Sequence, residues 1–165
     1  MANGPEDPQS SRAPTPADVA RIAAKLNALG ARYAVVGGFA MAHYGLVRPT
    51  MDLDLLVDPD VENIALVREA LSILEDRAVL EMKTDEVAKY NVVRIADEIV
   101  VDLIARAAQV SFVDIAGHIE EGEILGVRIP YPTPEWLLET KRTLRDKDVP
   151  DRNYLQELIR RSKLE

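Results

Sequence analysis

The chain has 165 residues, 47% of them hydrophobic, which is enough for one domain with a buried core. It contains no cysteine, so disulfides, zinc–thiolate sites and thiol nucleophiles are excluded and a reducing cytoplasm is the expected location. The net charge of −8 argues against a nucleic-acid substrate, which usually requires a basic surface, and no apolar run approaches the roughly 18 residues of a membrane span.

The N-terminal segment is rich in proline and poor in apolar residues. Four of the ten prolines fall within the first 16 residues, and the segment lacks the hydrophobic stretch of a signal peptide. A segment of this composition cannot bury enough apolar surface to fold by itself. We therefore expect residues 1–14 to form a disordered tail and residues 15–165 to form a single domain.

The first half of that domain is predicted to alternate helices and strands. Hydrophobic spacing, helix caps and glycine positions give the boundaries. In chain order we predict a helix at 15–29, a strand at 33–36, a small helix at 37–44, a strand at 52–57 and a helix after 58–60 whose buried stripe ends at Leu74.

The second half contains one predicted hairpin and more helices. In chain order we predict strands at 89–95 and 99–105, a helix at 111–119, a strand at 124–129, a helix starting at 133–135 and a last helix opening at 148–151. Strands and helices interleaved around one hairpin indicate an α+β fold, with a mixed β-sheet packed with helices and further helices at the C-terminus.

Two aspartates share one face of the predicted strand at 52–57. Side chains two residues apart in a strand point to the same side, roughly 6.5–7 Å apart, so Asp52 and Asp54 lie together. The residues that alternate with them are apolar and face the core: Leu53, Leu55 and Val57. Two bare carboxylates repel each other by about 3 kcal/mol at roughly 5 Å and an effective dielectric of about 20. A divalent cation such as Mg²⁺ removes this repulsion, because hard cations prefer carboxylate oxygens.

A third aspartate, Asp102, interrupts the apolar run of the later hairpin strand. A buried carboxylate without a partner costs several kcal/mol, so each of these acids needs a partner. An arginine could neutralise any one of them, and for a single strand aspartate that structural interpretation is favoured. A pair of acids together with a third favours a metal site, formed by Asp52, Asp54 and Asp102.

Glycine and basic residues near these acids suggest an anion site, although each has a structural alternative. Gly37 and Gly38 permit close approach of a phosphate to the start of a helix, but tight turns also use such pairs. Arg48 can clamp phosphate oxygens or pair with a carboxylate. Lys141 lies on an apolar helix face, where its ammonium either extends to the surface or enters the acidic cleft.

The string VVGGFAMAHYGLVRPTMDLDLLVD resembles the signature of the DNA polymerase beta-like nucleotidyltransferase superfamily. That signature is a hydrophobic strand, two small residues, an apolar-flanked Asp-x-Asp and an acid on a later strand. Its positions are taken by Gly37, Gly38, Asp52, Asp54 and Asp102. Further residues resemble the small bacterial branch that holds AbiEii-type proteins of toxin–antitoxin or phage-defence systems: Gly45, Arg48, Thr50, Pro134, Glu135, Lys141, Lys147 and Asp148.

The resemblance implies a nucleotidyltransferase that moves a nucleoside monophosphate from an NTP, with ATP as the expected donor, to a protein or small-molecule acceptor. It implies two Mg²⁺ ions, for which Mn²⁺ can substitute, on Asp52, Asp54 and Asp102, which would be the catalytic residues. The nucleotide would contact the residues Gly37, Gly38, Arg48, Thr50 and Lys141. The competing hypothesis is a binding module with little or no activity, acting like an antitoxin on a partner toxin.

Overall fold

A four-stranded mixed sheet and the helices packed on it form the body of the protein, whose computed structural model describes residues 11–165. Helices lie at Pro16–Leu29 (α1), Gly37–His43 (α2), Val61–Leu71 (α3), Glu86–Tyr90 (α4), Phe112–Ile115 (α5), Pro134–Thr140 (α6) and Val149–Ser162 (α7). Strands lie at Tyr33–Val36 (β1), Asp52–Val57 (β2), Val92–Ala96 (β3), Val100–Ile104 (β4), Arg106–Ala107 (β5), Val110–Ser111 (β6), Ile119–Ile124 (β7) and Val127–Pro132 (β8). Short 3₁₀ helices occur at Ala78–Glu81 and Asp146–Asp148.

The main sheet has the strand order β1-β2-β4-β3. Its central strands, β2 and β4, are parallel, while β1 and β3 pair antiparallel at the two edges. Two antiparallel pairs, β5–β6 and β7–β8, are separate from it. The α+β fold with a mixed sheet and C-terminal helices, predicted from the order of elements, is therefore confirmed.

Most elements of the first half match their predicted positions, but α3 ends at Leu71, so Leu74, the predicted end of its buried stripe, lies beyond the helix. Helix α1 begins after Thr15, whose hydroxyl accepts from the backbone of Asp18 while the Asp18 carboxylate accepts from the backbone of Thr15. It ends at Gly30, which adopts a left-handed conformation with φ of 73°. Strands β1 and β2 span the predicted residues. Local caps and alternation were sufficient here because each element carries its own boundary signals.

The second half differs from its prediction in three places. The helix predicted at 111–119 is only the short α5 at Phe112–Ile115, and Ile119 already begins β7. Residues 89–90 belong to helix α4, and Asn91, with a φ of 69°, ends that helix, so β3 starts only at Val92. The single predicted strand at 124–129 is instead the hairpin β7–β8. Its turn residues Leu125 and Gly126 both have positive φ, and a leucine at such a position gives no turn signal in the sequence.

The two faces of β2 have opposite chemistry. The face with Leu53, Leu55 and Val57 is no more than 1% exposed and belongs to the main core, which also includes apolar side chains of α1 and α3. The other face carries Asp52 and Asp54, each partly buried. The sheet therefore supports a polar site on the side away from this core layer.

The start of the described chain contacts the turn between β3 and β4. Ser11 donates a hydrogen bond to the carbonyl of Asp97, and Arg12 forms an ion pair with Glu98 at 3.1 Å. The remainder of the tail expected at 1–14, residues 1–10, lies outside the described residues. From residue 11 onwards, no helix is both long and apolar enough to cross a membrane.

Candidate active site

The three strand aspartates converge at one point of the sheet. Asp54 lies directly opposite Asp102 in the parallel pair β2–β4, and Asp52 is two residues earlier on the same face of β2. One carboxylate oxygen from each residue lies within 4.8 Å of the others. Opposite corners of a Mg²⁺ octahedron are about 4.2 Å apart, and its preferred ligands are oxygens. The oxygen donor set therefore fits a hard divalent cation, which would draw the carboxylates slightly closer together.

Burial and mutual repulsion act on the protonation of these acids. Burial, followed by the negative charges of Asp52 and Asp102, raises the pKa of Asp54 to about 7. Burial and a hydrogen bond with Asp102 also raise the pKa of Asp52. Both shifts mean that full ionisation of the cluster is unfavourable in the protein alone. A positive charge between the carboxylates would relieve that cost.

One positive charge is already present, and it comes from Arg94. The Nε and Nη2 atoms of Arg94 donate to the two oxygens of Asp102 at 2.9 and 3.0 Å. Nη2 also donates to Oδ2 of Asp52 at 2.9 Å. The structural alternative considered from the sequence, an arginine partner for a strand acid, is thus realised for Asp52 and Asp102, while Asp54 is not bound by Arg94.

Sequence reasoning missed Arg94 because it placed the hairpin register two residues away. The predicted hairpin, with a turn at 96–98, would set Val92 opposite Asp102. In the structure the turn lies at 97–99, and Arg94 itself is opposite Asp102. Both registers put Arg94 and Asp102 on one face of the sheet, since a shift of two residues preserves the face. Their opposite charges were the signal that could have identified the pair.

The two glycines make room for the protein's own side chains. Gly37 has a φ of 67°, and a Cβ atom built there would collide with the carboxylate of Asp54. A Cβ atom on Gly38 would collide with Thr50. Both glycines also line the cavity beside the carboxylates. The Gly-Gly pair is therefore required for the approach of α2 to β2, whatever it does for a ligand.

The two basic residues singled out from the sequence meet at Asp151. Nη2 of Arg48 and Nζ of Lys141 lie 2.7 and 2.9 Å from Oδ2 of this carboxylate. Burial opposes ionisation of Asp151, but the hydrogen bonds from Arg48 and Lys141 outweigh it and lower its pKa. Lys141 is buried and also lies 3.8 Å from Asp148. Its ammonium therefore does not extend to the surface, but the acids that hold it are Asp151 and Asp148 of the C-terminal segment and not the three strand aspartates.

A cavity of about 780 Å³ opens over these groups, a size typical of small-molecule and cofactor sites. The aspartates and glycines line one side, and the segment after α6 adds the cations Lys141, Arg145 and Lys147. Arg145 is bound to Asp148 at 2.9 Å. Lys147 is exposed and makes no hydrogen bond or ion pair with any of residues 11–165. It is a site cation that the sequence prediction did not include.

Solved structures with the same fold carry nucleotidyltransferase descriptions. A Thermotoga maritima protein, provisionally assigned as a nucleotidyltransferase, shares 16% identity over 85% of this chain and 89% of its own, with a TM-score of 0.51. An antigenic nucleotidyltransferase-like protein from Paracoccidioides brasiliensis shares 19% identity over 87% of this chain and 75% of its own, with a TM-score of 0.56. At these identities the likeness shows the fold alone. No curated protein matches the sequence.

The sequence itself matches a family model over residues 21–143, which is most of the chain. That family is described as the nucleotidyl transferase AbiEii toxin of type IV toxin–antitoxin systems. The matched range includes the three aspartates, both glycines, Arg48, Thr50 and Lys141. The chain therefore belongs to the AbiEii nucleotidyltransferase family and is a transferase, as the resemblance in its sequence implied.

Proposed function

We propose that this protein transfers a nucleoside monophosphate from an NTP, with ATP as the expected donor, to a protein or small-molecule acceptor in the cytoplasm. Pyrophosphate is the other product. The observation that carries the proposal is the convergence of Asp52, Asp54 and Asp102 in one wall of a cavity whose other side is cationic. This chemistry requires carboxylates that bind a metal ion and, beside them, cationic side chains that bind the triphosphate.

The three aspartates are the proposed catalytic and metal-binding residues. Asp52 and Asp54 supply oxygens from β2, and Asp102 supplies oxygens from β4. When bound, Mg²⁺ or Mn²⁺, as a pair of ions, would neutralise the charge that develops on the attacking and leaving oxygens. Asp102 accepts the proton of the acceptor group at a carboxylate oxygen. Asp54, whose pKa burial raises to about 7, would be held in its ionised form by a bound cation.

The proposed nucleotide contacts lie along the other side of the cavity. Gly37, Gly38 and Thr50 line it close to the carboxylates. Arg48 uses one nitrogen for Asp151 and keeps further N–H donors for phosphate. Lys141 is nearly buried and acts through its charge, which favours ionised Asp54. We add Lys147 to this set, because it lines the cavity and has no ion pair with any described residue.

The test is the fate of labelled phosphate. The protein is incubated with Mg²⁺, bacterial lysate and ATP labelled at either the α or the γ position. Nucleotidyl transfer moves the α label to an acceptor and leaves the γ label in pyrophosphate. Phosphoryl transfer moves the γ label to the acceptor and leaves the α label in ADP. The Asp52→Asn and Asp54→Asn variants should lose the α signal, and Asp60→Asn, which changes an exposed acid, should keep it. Acceptor labelling from the γ position that requires this protein, and is absent with lysate alone, would contradict the proposal.

A second candidate function is a binding module that recognises a partner toxin. The observation that favours it is Arg94, which gives Asp52 and Asp102 a structural partner and so a reason to be present without metal. Calorimetric titration with ATP in Mg²⁺ and in EDTA separates the two candidates. Metal-dependent binding that is lost in the Asp52→Ala/Asp54→Ala double variant supports the enzyme, and no binding to either protein supports the module.

A further inference from the structure

Arg94 holds two of the three site carboxylates through the atoms that a cation would use. It engages both oxygens of Asp102 and, through the same Nη2, one oxygen of Asp52. A single nitrogen therefore bridges the two carboxylates at 2.9 and 3.0 Å. A fork of this kind is among the stronger hydrogen-bonded pairs in proteins. The guanidinium and a metal ion would compete for the same lone pairs.

Backbone pairing places Arg94 in this position. It lies directly opposite Asp102 in β3–β4, and Asp102 lies directly opposite Asp54 in β4–β2. Cβ atoms at such positions are about 4.5–5.5 Å apart, so the base of the Arg94 side chain stays beside the acids. Its far end is free to move, because the side chain is 51% exposed and has several rotatable bonds.

We propose that Arg94 is a displaceable internal counter-ion, and that a divalent cation binds the triad only after the Arg94 guanidinium has left Asp102 and Asp52. The proposal rests on the metal-dependent function above. The guanidinium in its present position obstructs a metal ion, because Mg²⁺ requires ligands at 2.0–2.1 Å in near-octahedral geometry, Arg94 covers both oxygens of Asp102 and one of Asp52, and the two positive groups would repel each other. Arg94 therefore sets the metal affinity of the site by competition.

Displacement leaves the guanidinium next to the nucleotide. Arg94 lines the same cavity as Lys147, at the edge strand β3. A guanidinium released from carboxylates is a suitable fork for phosphate oxygens. Arg94 can therefore compete with the metal for the carboxylates and, once displaced, bind the phosphates of the nucleotide.

Metal titration without nucleotide tests the competition directly. Mn²⁺ binding to the full chain is measured by calorimetry for the wild type, Arg94→Lys and Arg94→Gln. Arg94→Gln should bind Mn²⁺ about 10- to 100-fold more tightly than the wild type, the range expected when charged hydrogen bonds no longer compete. Arg94→Lys keeps the charge without the fork and should fall between them. The control Arg160→Gln removes a similarly exposed arginine, 2.6 Å from Glu157, and should bind like the wild type.

Thermal unfolding provides a second readout that does not depend on activity. Arg94→Gln leaves Asp52 and Asp102 without their cation, so it should melt below the wild type in EDTA and gain more from added Mn²⁺. Equal Mn²⁺ affinities for the wild type and both Arg94 variants would overturn the displacement and leave the metal site intact. Absence of Mn²⁺ binding to all of these proteins would instead refute the metal site, and with it the proposed function.

Discussion

Asp54 and Asp102 occupy facing positions on the two central, parallel strands of the sheet. Their neighbours along the strands are apolar and buried, so the charges meet in a poorly solvated place. Burial, and then the charges of Asp52 and Asp102, raise the pKa of Asp54 to about 7. Closely placed carboxylates repel one another when no metal is bound, and the same closeness favours binding of a cation. A change that raises the metal affinity of the cluster is therefore expected to lower the stability of the metal-free protein.

Asp54→Asn should stabilise the metal-free protein at pH 8 while abolishing transfer. The folded-state pKa of about 7 lies above the ordinary value of 3.8. The stability that the protonated carboxyl contributes is therefore complete below about pH 4 and lost as the pH rises through 7. The neutral amide avoids that loss, so at pH 8 the free energy of unfolding of Asp54→Asn should exceed that of the wild type by roughly 2 kcal/mol, or about 5 °C in Tm. Thermal unfolding in EDTA measures it, and a Tm at pH 8 no higher than that of the wild type would contradict it.

Gly37→Ala should disrupt the site beyond its effect on the backbone. The new methyl group would force the Asp54 carboxylate away, in addition to the strain of an alanine at a φ of 67°. Gly30→Ala is the matched control, because Gly30 has a φ of 73° and nothing within 4 Å of its added Cβ. Both variants should lose about 1–2 kcal/mol in urea denaturation from the positive φ. Only Gly37→Ala should also lose Mn²⁺ binding, and retention of wild-type affinity would show that Asp54 tolerates the displacement.

Lys147→Gln should weaken nucleotide binding without changing the stability of the fold. Lys147 lines the cavity and has no ion pair with any of the described residues, so its removal leaves no carboxylate unpaired. The loss of one phosphate contact should reduce ATP affinity about 5- to 10-fold in calorimetry, and less at high salt. Lys25→Gln, an exposed change on α1, should have no effect. Unchanged affinity in Lys147→Gln would remove this residue from the proposed nucleotide site.

Asp151→Asn should destabilise the protein strongly. Asp151 is buried and joins Arg48 to Lys141, whose other nearby acid, Asp148, is 3.8 Å away. Removing one partner leaves the charge of a buried lysine poorly compensated, which costs about 3 kcal/mol in urea denaturation. The control Asp60→Asn changes an acid that is 75% exposed and should cost almost nothing. A loss below about 1 kcal/mol would mean that the Arg48 and Lys141 contacts with Asp151 contribute little to the fold.

Local signals in the sequence were sufficient for elements that carry their own boundaries. Thr15 and Gly30 cap α1 as predicted, and the alternation of leucine with aspartate gives β2 and the face on which its acids lie. The hairpin at Leu125 and Gly126 could not be predicted, because a leucine at positive φ contradicts the usual turn preferences. Local rules fail where packing enforces a conformation that the residue does not prefer.

The shared face of Asp52 and Asp54, the candidacy of Asp102 and the family resemblance followed from the sequence alone, because strand parity and residue type are local properties. The partners of those acids did not. Arg94 reaches Asp102 only through the register of β3 with β4, and Arg48 and Lys141 share Asp151 only because α6 and α7 bring distant segments together. Which charges meet is a matter of distance in space, and distances between strands and helices are set by tertiary packing. The sequence determined the chemistry available to this site, and the tertiary structure decided which of its cations are already engaged.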